Sequence, residues 1–83
     1  MSLHAIFDAI AAERDTRHEQ AGGVLLRRSP EDRIAEITKH LGDVWAGEDL
    51  RAQMVKVAAT AIEAIELHDI SQAEQAAFHA SIA

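Results

Sequence analysis

A chain of 83 residues has room for one domain and one modest core. A net charge of −6 and the absence of Cys argue against a general nucleic-acid binder, disulfides and thiolate metal sites. The 48% hydrophobic content includes only 4% aromatic residues, so Ala, Leu, Ile and Val must supply the packing. At ~25 cal/mol per Å² of apolar area, such side chains give a thin core for one short chain, and a homodimer is the expected remedy.

Ser2 suits the N-cap of a first helix reaching about Glu19, with Leu3, Ile6, Phe7 and Ile10 as its expected buried stripe. Gly22 and Gly23 should end it. Val24, Leu25 and Leu26 then form a run too short to found a sheet, and read as a loop pinned to the core by its leucines. Ser29, Pro30, Glu31 and Asp32 combine an N-cap, a first-turn proline and two acids facing the helix dipole. They predict a second helix to about Ala46, with Ile34, Ile37, Leu41, Val44 and Trp45 facing the core. Gly42 interrupts it, which suggests a close contact there.

The central stretch, 49–69, is apolar over more than half its circumference. Leu50, Met54, Val57, Ala61 and Ile65 form one row, with Val55, Ala58, Ala59 and Ile62 beside it. It should be the most buried helix of a small four-helix bundle, all-α, in a single domain spanning residues 1–83. Ser71, Gln72, Ala73 and Glu74 repeat a capping-box pattern and predict a short final helix. No run approaches the ~20 apolar residues of a membrane span. The N-terminus lacks the basic and apolar regions of a signal peptide, so a cytoplasmic protein is expected.

Few residues stand out as carriers of chemistry. Glu36, His40 and Asp43 fall at i, i+4 and i+7, a spacing that can coordinate a divalent cation but that any polar helix edge also produces. Glu13, Arg14, Arg17 and His18 are a charged helix end, in which Arg14 and Arg17 could grip an anion. A solvated helix end is the simpler account. His4, His68 and His79 have no partner at metal spacing, and no local signature marks a nucleophilic serine.

The stretches IAAERDTRHEQ, EDRIAEITKHLGDVWAG and DLRAQMVKVAATAIEAIE nevertheless occur in a familiar order. Over roughly residues 10–67 the chain resembles the all-α MazG-like nucleotide pyrophosphohydrolase superfamily, in particular its short phage and prophage members. The resemblance implies a dimeric helical fold in which Glu-x-x-Glu on one helix and Glu-x-x-Asp on the next hold Mg²⁺ against a triphosphate. Here those positions are His40 and Asp43 on the first helix, and Gln53 and Lys56 on the second, with Lys39 where a further Glu is usual. Of the four expected carboxylates only Asp43 remains. Mg²⁺ favours oxygen donors and is repelled by Lys56, so the metal cage that bridges phosphates is expected to be lost.

The expectation is thus a family-like scaffold without its catalysis, acting as a binding or regulatory protein towards a nucleotide or a host protein, with no cofactor. One alternative is an active Mg²⁺-dependent nucleoside triphosphate pyrophosphohydrolase, with Glu36, Asp49 or Glu63 as substitute ligands. Another is a small acidic phage protein that inhibits a host complex. Should Lys56 replace the charge of the lost metal, it would pair with Asp43 beside a hydrogen-bonded His40 and Gln53.

Overall fold

The computed structural model describes residues 2–22 and 29–82, and the expected Val24–Leu26 loop lies outside them. The described residues are all-α. They form α1 (Leu3–Gln20), α2 (Pro30–Trp45) and α3 (Leu50–Ile82), and no helix among them is long and apolar enough to cross a membrane.

Local chemistry explains most boundaries. Ser2 accepts a hydrogen bond from the Ala5 backbone N–H through its hydroxyl, 3.2 Å, and so caps α1. The helix stops at Gly22, whose φ of 71° suits glycine. At α2, Ser29 and Asp32 form a reciprocal capping box ahead of Pro30. Gly47, at φ 104°, turns the chain after α2. The Asp49 carboxylate then accepts from the Ala52 N–H at 2.8 Å and starts α3.

The expected break near Asp69 does not occur, and three helices stand where four were expected. Residues 50–82 contain no Gly or Pro, and Ser71 and Glu74 are tolerated inside a helix when nothing forces the chain to turn. The result is one 33-residue helix, about 50 Å long at 1.5 Å per residue.

Both α1 and α2 pack along α3. Arg14 pairs with Glu66 and Arg17 with Glu63, so α1 runs antiparallel to α3. Arg33 pairs with Glu63 and His40 meets Gln53, so α2 is antiparallel to it as well. Continued along the helices, these registers set α1 beside the second half of α3 and α2 beside the first. The three overlap only near residues 59–63, where Ala59 and Thr60 are completely buried. Outside that crossing the molecule is two helices thick. Its radius of gyration, 15.5 Å, exceeds the about 12 Å of a compact chain this long.

The orientation of α2 corrects the expected core face. Ile37 and Val44 are half-buried, but Ile34, Leu41 and Trp45 point to solvent, with Trp45 92% exposed. The inward edge is instead Arg33, Glu36, Ile37, His40 and Val44. On α1, Leu3, Ile6 and Phe7 are likewise exposed and only Ile10 is half-buried. Among the described residues Ala59 is the one buried apolar side chain. The central placement of the 49–69 stretch holds, since Gln53, Ala59 and Thr60 are the buried residues of α3. The gap expected to be closed at Gly42 is open, as a Cβ there would meet nothing within 4 Å.

A candidate functional site at the helix crossing

Each helix sends charge into the crossing. From α1, Arg17 lays its guanidinium along Glu63 of α3, with Nε donating to Oε1 at 2.8 Å and Nη2 to Oε2 at 3.0 Å. Its Nη1 reaches Glu36 Oε1 of α2 at 2.8 Å. From α2, Arg33 Nη1 donates to Glu63 Oε2 at 2.7 Å and lies 3.8 Å from Glu36 Oε2. Two guanidinium groups and two carboxylates thus alternate in one cluster. Arg33 is 5% exposed at its side chain and Glu63 13%. The two carboxylates raise the Arg17 pKa, chiefly through the hydrogen bonds of Glu63.

Beside this cluster lies the row expected to carry the chemistry. His40 Nδ1 is 2.9 Å from Gln53 Oε1, the expected contact across the helix junction. With the Gln53 oxygen as acceptor, Nδ1 carries the proton. Nε2 then faces Glu36 Oε1 at 3.9 Å, beyond hydrogen-bonding range. Asp43 is 4.0 Å from His40 Nδ1, but takes its ion pair from Lys39, at 2.8 Å, rather than from Lys56 as expected. An i,i+4 neighbour on the same helix reaches the carboxylate without crossing the junction. Lys56 acts on Asp43 only through its field.

Among the candidate ligands, Glu36 and Glu63 are brought together, with arginine nitrogens against their oxygens. Asp49 stands apart at the start of α3. Arg14 and Arg17, the candidate anion contacts, each meet a carboxylate of α3. Among the described residues no group of three His, Asp or Glu is arranged to hold a metal ion. The donor set does not fit Mg²⁺ either, because two guanidinium charges would share the site with the ion. Arg33 was not singled out from sequence. Its signal was available, since Arg33, Ile37, His40 and Val44 share one helical row and place a cation on the packed edge.

The Lys39–Asp43 pair gives a modest prediction. Hydrogen bonding from Lys39 lowers the Asp43 pKa below its ordinary 3.8. Any stabilisation from Asp43 is therefore complete above that value and is lost as pH falls through the lowered one. Thermal melts of wild type and Asp43→Asn should differ slightly at neutral pH, less in high salt, and converge as the pH falls through the lowered pKa of Asp43.

Comparison with protein-family models, curated proteins and solved structures returns no match for this chain. What the site defines by itself is an all-α scaffold with a buried ionic crossing.

Proposed function

We propose that this chain has a MazG-like scaffold that no longer supports Mg²⁺-dependent pyrophosphohydrolysis, and that it acts as a dimeric binding or regulatory protein. The observation that carries this reading is the position of Arg17 and Arg33 against Glu36 and Glu63. Hydrolysis of a triphosphate needs a cation to bridge the phosphates and activate water. At this crossing the positive charge comes from the protein itself. The carboxylates that might have replaced the lost ligands accept hydrogen bonds from those arginines. His40 and Gln53, at two of the family's metal positions, hydrogen-bond to each other. The retained scaffold, its rewritten polar row and its large exposed apolar side chains fit a protein that works through association.

The test is pyrophosphate release from a panel of nucleoside triphosphates with Mg²⁺ or Mn²⁺. The expected result is no turnover above the blank, and no change in melting temperature with millimolar Mg²⁺. A ligand of the native state would raise that temperature by mass action. Turnover that Asp43→Ala abolishes would overturn the proposal and return Glu36 and Glu63 to the role of ligands.

A further inference from the structure

Helix α1 is attached to the rest of the molecule differently from α2. It has no buried residue, and its large apolar side chains Leu3, Ile6 and Phe7 are 64%, 39% and 58% exposed. What it lays on α3 is a short matched row. Arg17 meets Glu63 and Arg14 meets Glu66, and the same register sets Ile10 beside Ile70, both half-buried. Its reach to α2 is also ionic, through Arg17 on Glu36. By contrast α2 buries Arg33, half-buries Ile37 and Val44, and adds the His40–Gln53 bond.

Ion pairs fix the register of α1 but add little net stability. Taking charges out of water offsets most of the attraction within a buried pair. Arg14 and Glu66 are 38% and 44% exposed, where solvent screening weakens their pair. With Ile10 as its one large half-buried apolar side chain, α1 has a weaker seat on α3 than α2 has.

Departure of α1 also strands no charge. Arg17 returns to water, while Arg33 keeps its bond to Glu63 at 2.7 Å and holds α2 on α3. Once undocked, an 18-residue helix is marginal in water, so α1 would lose its helical hydrogen bonds as it leaves. Gly22 follows it at φ 71°, and glycine offers the least resistance to a new backbone angle.

We propose that α1 is a latched arm, released from an intact α2–α3 pair by local opening about Gly22, with Arg14 and Arg17 as its latch. The opening uncovers the α3 row Ala59, Glu63, Glu66 and Ile70, so the device controls access to an acidic, partly apolar face. Neither nucleotide chemistry nor a second copy of the chain is needed for it.

Native-state hydrogen exchange reads the opening directly. Protection should be on the order of tenfold lower for amides 8–20 than for amides 53–60, which include the buried residues of α3. Arg14→Glu should lower protection in α1 alone by about fivefold, because it replaces an attraction with a repulsion. Adding Glu66→Arg should return it towards the wild-type value. The chain has no Cys, so Ile10→Cys with Ile70→Cys can be joined by a short thiol cross-linker that ties the arm shut. Amides 8–20 should then be protected as well as 53–60. Equal protection of the two segments in the wild type would mean one cooperative unit and overturn the proposal. So would weak α1 protection that survives the cross-link, since that is fraying within a docked helix. An Arg14→Glu effect spread equally over all three helices would overturn it too.

Discussion

Glu63→Ala is expected to be the most damaging single truncation of a charged residue in this chain, costing about 3–5 kcal/mol. Glu63 accepts three hydrogen bonds from two arginines, and it is the group that joins α1 and α2 to α3 at one point. Its removal takes from Arg33 its partner at 2.7 Å, and leaves Arg17 against Glu36 with Arg33 3.8 Å from the same carboxylate. Two cations that are largely out of water would then repel each other across one carboxylate. The total stability of a domain this size is about 4–12 kcal/mol, so the variant should be partly unfolded at ambient temperature. Urea denaturation followed by circular dichroism reads the loss as a lowered midpoint. Replacing Arg17, Arg33, Glu36 and Glu63 together by Met should recover much of it, because an apolar substitute for the whole cluster leaves no uncompensated charge. A Glu63→Ala loss below about 1 kcal/mol would mean that the cluster behaves as a solvated surface network.

Much of the helical layout was legible because it is written in local chemistry. Ser2, the Ser29–Asp32 box with Pro30, and the glycines at 22 and 47 act through neighbours a few residues away. Ser71 and Glu74 misled for the same reason. They can cap a helix where the chain turns, but their presence does not make it turn. The direction of α2 was harder to read. Periodicity identifies Ile34, Leu41 and Trp45 as one apolar row, but does not say whether the chain's own helices or another molecule covers it. Assuming the former placed Trp45 in the core, where it is not. The candidate site was half legible. His40 and Gln53 were expected to meet and do, whereas the charge partners were misassigned. Lys56 was expected to pair with Asp43, and Arg33 was not among the expected site residues. The place of Arg33 on the packed edge is legible in the spacing, but its partner is not, because Glu63 lies 30 residues away on another helix.

Ala59→Leu is expected to cost about 1–3 kcal/mol, the usual range for forcing added methylenes into a packed position. Ala59 has no exposed surface, and it sits where α1 and α2 pass α3 together. Its neighbour Thr60 is also wholly buried, and donates its hydroxyl to the Lys56 carbonyl at 2.8 Å within the helix. With small side chains at the crossing, the guanidinium forks of α1 and α2 can reach the same carboxylate. A leucine at 59 would push a flanking helix outward and lengthen bonds of 2.7–2.8 Å that have little tolerance for it. The same substitution at Ala73, on the exposed second half of α3, should stay within about 0.5 kcal/mol of wild type. A Leu that harms at 59 and is neutral at 73 is the signature of a long helix crossed at one place. If both are tolerated, the three helices do not meet tightly at residues 59–63, and the ionic cluster lacks the close approach on which its geometry depends.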